Sequence, residues 1–182
     1  MKRWVAWNVV WVVLTLVGTT AHDAMAVSKS VGGVVFTAPE RWEETQPSSM
    51  MRKAQFRVPR SDGDAEDGEL AVFYFGPGQG GSIDDNVQRW AGQFTDASGQ
   101  PATPTTTTRQ VNGASVTVVR ADGTYASGMP MGPTTPKPNY AMLGAIVSGS
   151  EAPVFFKLVG PRATIDQAVS EFDALVASFA VE

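Results

Sequence analysis

Apolar and polar residues alternate along much of this chain, and the alternation predicts β-strands. In residues 51–58 the apolar side chains of Ala54, Phe56 and Val58 alternate with polar ones, so one face of this strand is predicted to be buried. Three further segments are apolar at nearly every position: residues 70–75, 140–148 and 154–159. Strands of that kind need apolar cover on both faces.

A β-hairpin is predicted where Asn112-Gly113 separates two strand-like segments, residues 105–111 and 114–121. Both turn residues tolerate a positive φ, which the tight turns of two-residue hairpins require. Another short strand is predicted at residues 34–37.

Two segments have the apolar period of amphipathic helices. The stripe of the first consists of Ile83, Val87, Trp90 and Phe94. Ser82 is its predicted N-cap, because a serine side chain accepts a hydrogen bond from the first turn. The stripe of the second consists of Ile165, Val169, Phe172, Val176 and Phe179. Its predicted start has the spacing of a capping box, from Thr164 to Gln167.

Together these elements predict an α+β fold with about seven strands and two helices. Hairpins connect the strands, so the sheet is expected to be antiparallel and covered by helices on both faces, an α/β/α sandwich. We expect one such domain over residues 34–182, preceded by a flexible leader at 27–33.

The N-terminal segment has the pattern of a cleaved secretory signal. Lys2 and Arg3 precede an apolar stretch at residues 4–17, and Ala24-Met25-Ala26 supplies small residues for signal peptidase. The apolar stretch is shorter than the roughly 20 residues of a spanning helix. We therefore predict a signal peptide at residues 1–26, a periplasmic or extracellular location, and no stable membrane anchor after cleavage.

Composition narrows the chemistry of the mature chain. The protein has no cysteine, and its one histidine, His22, lies in the predicted signal peptide. Cleavage would thus remove the commonest general base and metal ligand, and no thiol nucleophile exists. We predict a protein that is not an enzyme and has no cofactor or metal. The net charge of −4 does not suggest a nucleic-acid partner, which favours a basic face.

Several short segments resemble the PsbP-like, or Mog-like, α/β/α sandwich family. They are Pro39-Glu40-Arg41-Trp42, the segment 155–161 and the end of the terminal helix at Ser178-Phe179. The chain also resembles uncharacterised exported bacterial proteins in residues 51–56, the glycine loop at 76–81 and residues 140–145. The first resemblance implies the sandwich fold and roles that are mostly in binding; the second implies no function.

The glycine loop contains Gly76, Gly78 and Gly81 in a G-x-G-x-x-G spacing between a strand and a helix. It lacks the lysine of a P-loop, and Asp84 and Asp85 at the helix start would repel an anion. A tight structural turn is the favoured interpretation, with an anion site as the alternative.

The acidic segment at residues 62–69 has carboxylates at alternate positions, as calcium loops do. Asp67 stands where an EF-hand turn has glycine, and Phe73 stands where it has glutamate. We therefore favour a solvated turn, and a weak calcium site remains the alternative.

The proline-rich segment at residues 127–139 is predicted to be an irregular loop and is the favoured contact surface. Its candidate binding residues are Tyr125, Met129, Met131, Pro133, Lys137 and Tyr140. Prolines lower the entropy that binding removes, and methionine and tyrosine offer adaptable apolar contacts. The alternative is a passive cover over one end of the sheet.

The leading hypothesis is an exported, non-enzymatic binding or accessory module of the bacterial cell envelope, whose partner is an envelope protein or a small ligand. A small secreted hydrolase that uses carboxylates or a loop-bound metal is the alternative, and a purely structural surface protein is a third possibility.

Overall fold

The computed structural model describes residues 26–128 and 133–182. The predicted signal sequence up to residue 25, with His22, lies outside the described residues, as do Met129 and Met131. In chain order the elements are β1 (Val27–Val31), β2 (Val34–Ala38), β3 (Glu43–Glu44), β4 (Arg52–Val58), β5 (Gly68–Phe73), α1 (Ile83–Ala91), β6 (Phe94–Thr95), β7 (Thr105–Val111), β8 (Ala114–Gly128), β9 (Thr134–Val147), β10 (Val154–Pro161), α2 (Arg162–Gln167), α3 (Val169–Ala177) and β11 (Ala180–Val181).

Two antiparallel sheets are built from these strands. The larger sheet has eight strands in the order β3-β4-β5-β10-β9-β8-β6, with β7 also paired to β8. The smaller sheet has the order β1-β2-β11 and brings both ends of the described chain together. The predicted α+β class is confirmed, with an antiparallel sheet covered by helices.

Apolar residues are buried on both faces of the larger sheet. On one face, the ring of Phe156 from the larger sheet packs with those of Phe36 from β2 and Phe179, which follows α3, and all three are fully buried. On the other face, Trp90 of α1 packs with Phe155 and other apolar side chains of the sheet. The doubly apolar strands therefore have cover on both sides, as their sequence predicts. Among the described residues, no helix is long and apolar enough to cross a membrane.

Local signals in the sequence are confirmed at two turns. Asn112 and Gly113 have φ of 48° and 85° and connect β7 to β8. Ser82 caps α1, where its hydroxyl oxygen accepts a hydrogen bond from the Asp85 backbone N–H at 3.0 Å. Each turn is set by residues adjacent in sequence, so little tertiary information is needed to predict it.

The segment predicted as a flexible leader is part of the fold. Residues 27–33 form β1 and its turn, and β1 pairs with β2 from Val27 opposite Ala38 to Val31 opposite Val34. Gly32 and Gly33 make the turn with φ of 56° and 75°. The prediction missed this strand because β1 is short and its three central residues, Ser28, Lys29 and Ser30, are all polar, so it lacks the apolar alternation of a strand.

The helix boundaries also differ from those predicted. Phe94 lies beyond α1, in β6, although it is fully buried. The last helical region begins at Arg162, so Thr164 is not a cap; its backbone N–H and hydroxyl instead both donate to Asp64 Oδ2. Thr164 is buried, and this contact fixes the turn that contains Asp64 against α2.

The prediction of irregular structure over residues 127–139 is wrong for most of that segment. Strand β8 runs to Gly128 and β9 begins at Thr134, where the two strands pair. Strand β10 pairs with β9 only as far as Tyr140, so the proline-bearing part of β9 has a free edge. Pro136 and Pro138 are tolerated there because an edge strand has backbone positions that need no partner for an N–H.

Candidate functional site

A cleft of about 470 Å³ lies where the far end of the β8–β9 hairpin faces the turn between β4 and β5. We call it the hairpin cleft. Tyr125, Lys137 and Tyr140 line it from the hairpin, and Glu66 and Asp67 line it from the turn. Arg52, Glu69, Phe73 and Lys157 complete its floor and far wall. Residues more than 50 positions apart in sequence thus meet at one site.

An irregularity in β9 brings Lys137 and Tyr140 to the same face. Gly123 lies opposite Tyr140 and Tyr125 lies opposite Lys137, so a two-residue step on β8 matches a three-residue step on β9. Asn139 is in the intervening stretch, with a left-handed φ of 57°. In a regular strand, residues three apart point to opposite faces, whereas one extra residue restores them to the same face.

Stacked aromatic rings form one wall of the cleft. The rings of Tyr125 and Tyr140 are nearly parallel, with centroids 6.1 Å apart, and Tyr125 also contacts the buried ring of Phe94 at 5.0 Å. Burial raises the pKa of the Tyr125 phenol. Both tyrosines are half-buried, so part of each side chain is accessible to a ligand.

Opposite charges meet at the mouth of the hairpin cleft. The Lys137 ammonium forms an ion pair with Glu66, and the Tyr140 hydroxyl donates to Glu66 Oε2 at 3.0 Å. These two contacts lower the pKa of Glu66, and the Glu66 carboxylate raises the pKa of Lys137. Lys137 Nζ also lies 5.5 Å from the centroid of the Tyr140 ring.

A second charged group lies on the floor of the cleft. Arg52 Nη1 is 2.6 Å from Glu69 Oε1, and Gln55 Nε2 donates to Glu69 Oε2 at 3.0 Å. The Arg52 guanidinium lies 5.9 Å from the centroid of the Phe73 ring. Positively and negatively charged side chains therefore surround the aromatic wall of the cleft.

Lys157 is the most unusual residue of this region. It lies on β10 between Ala71 and Gly144, and its ammonium donates to Gln93 Oε1. Its Nζ is 5.5 Å from the centroid of the Tyr125 ring. Burial, together with the nearby positive charges of Arg89 and Arg52, lowers the pKa of Lys157 to about 8.

A second cavity adjoins the hairpin cleft and shares Phe73 and Lys157 with it. We call this cavity, of about 500 Å³, the aromatic groove. Its lining residues are Met51, Phe73, Phe75, Asn86, Arg89, Trp90, Gln93, Phe155 and Lys157. The groove follows the edge of α1, which covers only part of this face of the sheet.

The structure brings together three of the six predicted contact residues, since Tyr125, Lys137 and Tyr140 all line the hairpin cleft. Pro133 is exposed at the end of the hairpin and does not line the cleft, and Met129 and Met131 lie outside the described residues. Sequence reasoning missed Lys157. Its signal was a single charge inside the otherwise apolar strand 154–159.

The acidic segment forms a turn whose carboxylates bind other side chains of the protein. Asp64 accepts from Thr164, Glu66 pairs with Lys137, and Asp67 pairs with Arg57 at 3.0 Å. Among residues 26–128 and 133–182, no group of three or more metal-ligating side chains is clustered.

The glycine loop forms the turn that enters α1. Gly76, Gly78, Gly80 and Gly81 all have positive φ, between 69° and 100°. The buried Asn86 side chain donates to the Gly80 and Ser82 carbonyl oxygens, both at 2.7 Å, and so holds this turn closed. These contacts support the structural interpretation.

No protein-family profile matches this chain, and no curated protein matches it by sequence. Among solved structures, it is similar to cyanobacterial PsbP (CyanoP) from Synechocystis sp. PCC 6803, with a TM-score of 0.55 and 17% identity over 93% of this chain and 99% of that one. Another similar structure is PA94 of Pseudomonas aeruginosa, a protein of unknown function. It has a TM-score of 0.49 and 10% identity over 86% of this chain and 97% of its own. The similarity to CyanoP shows a PsbP-like fold, as the resemblance in the sequence implied.

Proposed function

We propose that this protein is an exported, non-enzymatic accessory module of the bacterial cell envelope that binds a partner protein through the hairpin cleft. The observation that carries the proposal is the convergence of Tyr125, Lys137 and Tyr140 with Glu66 in one open cleft. The pattern of residues 1–26 supports export, and the PsbP-like fold supports a binding role.

The cleft offers the features of a protein contact site. Tyrosine supplies a large contact area at a small cost in conformational entropy, and such residues dominate the energy of many interfaces. Because the rings of Tyr125 and Tyr140 already stack on each other, they present a preorganised surface.

Charge in the cleft favours selectivity over raw affinity. The Glu66 carboxylate is about half exposed, and exposed ion pairs contribute only about 0–1 kcal/mol. Lys137 and Glu66 can therefore separate at little cost and pair with opposite charges on a partner protein. A partner with mismatched charges would be rejected.

The geometry does not favour the alternative of a carboxylate hydrolase. Two adjacent carboxylates of the acidic turn are held by cations, since Glu66 pairs with Lys137 and Asp67 pairs with Arg57. Asp64 accepts two hydrogen bonds from Thr164. These carboxylates stabilise the fold and the cleft wall, which is the role that their contacts support.

Site-specific photo-crosslinking in the native host tests the proposal. A photoreactive amino acid is placed at Ser127, which lines the cleft, or at Thr106, which is exposed on β7. We expect a discrete crosslinked protein from position 127 and none of that size from position 106. The double substitution Lys137→Ala with Tyr140→Ala is expected to remove the adduct.

The matched control is Lys53→Ala, which removes an exposed lysine outside the cleft. Equal adducts from wild type and from the double variant would contradict the proposal, provided that both are equally abundant and folded. Chelator-sensitive hydrolytic turnover that is lost on Asp64→Ala, in a variant that stays folded, would favour the hydrolase instead.

A further inference from the structure

The cations of the aromatic groove differ from most others in the described residues because they form no salt bridge with a carboxylate. Residues 26–128 and 133–182 contain twelve lysines and arginines, and nine of them form salt bridges with carboxylates. The three that do not are Lys53, Arg89 and Lys157. Two of these three, Arg89 and Lys157, line the aromatic groove.

Neutral amides are the partners of both cations in the groove. Lys157 donates to Gln93 Oε1, and Arg89 donates to Asn86 Oδ1. None of the described residues that line this groove is acidic. A half-buried ammonium without an anionic partner is costly, because burial removes water that would otherwise stabilise the charge.

Beside these cations the groove is apolar. The rings of Phe73 and Phe75 are stacked with centroids 6.2 Å apart, and Phe155 meets Phe75 and Trp90 edge to face at 5.7 Å and 6.3 Å. Met51, which is 59% exposed, extends this apolar surface at the rim. The volume of about 500 Å³ lies in the range of sites for small ligands.

We infer that the aromatic groove binds a small monoanionic ligand with an apolar body, namely an aliphatic or aryl carboxylate, whose carboxylate pairs with Lys157 and Arg89. Charge complementarity selects the anion, since Lys157 and Arg89 both line the groove and its other described lining residues include no carboxylate. The stacked phenylalanine rings and Trp90 then contact the apolar body. The groove shares Phe73 and Lys157 with the hairpin cleft. The proposed protein contact depends on Tyr125, Lys137 and Tyr140, whereas the carboxylate contact depends on Lys157 and Arg89, so either proposal can fail without the other.

The protonation of Lys157 predicts how binding depends on pH. The charged groups around it are Arg89 on α1, Arg52 on β4 and Glu69 on β5, and the Tyr125 phenol faces it from β8. Because the lowered pKa of about 8 leaves the amine partly neutral above that pH, a carboxylate should bind more weakly there. From pH 7 to pH 9 the affinity is expected to fall roughly tenfold.

Calorimetric titration of the folded protein with dodecanoate, below its micelle concentration, tests the inference. Dodecanol and dodecylammonium serve as neutral and cationic probes of the same length. We expect dodecanoate to bind at least about tenfold more tightly than either, since an anion–cation contact is worth more than 1.4 kcal/mol in such a site. The NMR signal of the Trp90 indole N–H should shift with dodecanoate, which locates the probe in the groove.

Variants identify the residues responsible. Lys157→Met keeps the apolar stem and removes the charge, and it should remove most of the preference for dodecanoate over dodecanol, since only the Arg89 charge remains. Arg89→Gln should also reduce that preference. Lys53 is the third cation without a salt bridge and lies outside the groove, so Lys53→Gln should leave the preference intact. The Lys137→Ala, Tyr140→Ala double variant should also retain it.

Three results would overturn the inference. One is equal affinity for dodecanoate and dodecanol in the wild type. Another is an equal loss of preference in Lys53→Gln and Lys157→Met. The third is that neither dodecanoate nor 4-phenylbutyrate, an aryl carboxylate used as a second probe, shifts the NMR signal of the Trp90 indole N–H. Melting temperatures of the variants distinguish lost binding from lost folding.

Discussion

Asn139 is the single residue on which the hairpin cleft most depends. Its left-handed φ of 57° allows β9 to contain one more residue than β8 over the same stretch, and this places Lys137 and Tyr140 side by side. Asparagine tolerates this conformation far better than a β-branched residue does.

Substitutions at Asn139 should separate conformation from chemistry. We expect Asn139→Gly to leave stability and the photo-crosslink from position 127 unchanged. Asn139→Val should lower the free energy of unfolding by about 1–2 kcal/mol, because a β-branched residue resists positive φ. Urea denaturation measures the difference, and equal stability of the two variants would argue that the irregularity does not depend on this residue.

Lys157 should make the stability of the protein depend on pH. Its pKa is about 8 in the folded state, against about 10.4 for an unfolded lysine. Between these values the unfolded chain binds the extra proton, so the free energy of unfolding rises with pH. Since Lys157 is half-buried, the gain should be about 1–3 kcal/mol in full, and part of it develops between pH 8 and 9.5.

The control for this effect is Lys157→Met, whose unfolding free energy should lack the rise between pH 8 and 9.5. Measurements stop there because the Tyr125 phenol, whose pKa is raised, acts in the opposite direction above the pKa of a free tyrosine of about 10. Parallel pH profiles of wild type and variant would show that the lysine is not perturbed.

At the scale of elements, the position of α1 on the sheet defines the aromatic groove, which Asn86, Arg89 and Trp90 line from the helix. Trp90 lies directly over Gly144 of β9, where a Cβ atom would come within 2.4 Å of the indole ring. The Ser82 cap and the Asn86 contacts to the glycine loop set where the helix begins. The helix thus rests on a gap in the sheet surface, and the space beside it becomes the aromatic groove.

Gly144→Ala should therefore destabilise the protein by about 1–3 kcal/mol, as overpacked cores generally do, and should displace Trp90. A double-mutant cycle with Trp90→Leu tests the cause, because the same alanine should cost much less beside the smaller side chain. If the two costs add without interaction, the strain comes from elsewhere in the sheet.

Elements fixed by neighbouring residues were predictable, and those fixed by distant ones were not. The Asn112-Gly113 turn and the Ser82 cap follow from local chemistry. The pairing of residues 134–137 with β8 was missed because prolines are common in loops, and only the free edge of β9 makes them tolerable in a strand. Thr164 was misread as a cap because its partner, Asp64, lies 100 residues away.

The candidate sites show the same division. Tyr125, Lys137 and Tyr140 were identified from composition near the prolines, and the structure places them together. The aromatic groove was not predictable, because it depends on which cations lack a carboxylate after folding. Lys157 stood out in sequence only as one charge in an apolar strand, a pattern that also occurs at sheet edges.

On the scale of the whole molecule, the predicted cleavage site directly precedes the first strand of the described residues. Strand β1 begins at Val27, directly after Ala26, so removal of residues 1–26 would leave the small sheet whole. We predict that N-terminal sequencing of exported protein gives Val27 as the first residue. A first residue upstream of His22 would contradict this prediction and would leave an imidazole in the mature protein.

The smaller sheet has a consequence for the order in which the chain folds. Strand β2 binds β11, the last strand, and the Glu182 backbone N–H donates to the Gly33 carbonyl at 2.9 Å. Residues about 150 positions apart in sequence thus meet in this sheet, and such distant contacts form slowly. During synthesis or translocation, β1 and β2 emerge well before β11, so the smaller sheet cannot be completed until residues 180–181 are available. A nascent chain that is even slightly truncated would leave one edge of β2 without its native strand, open to pairing with another molecule.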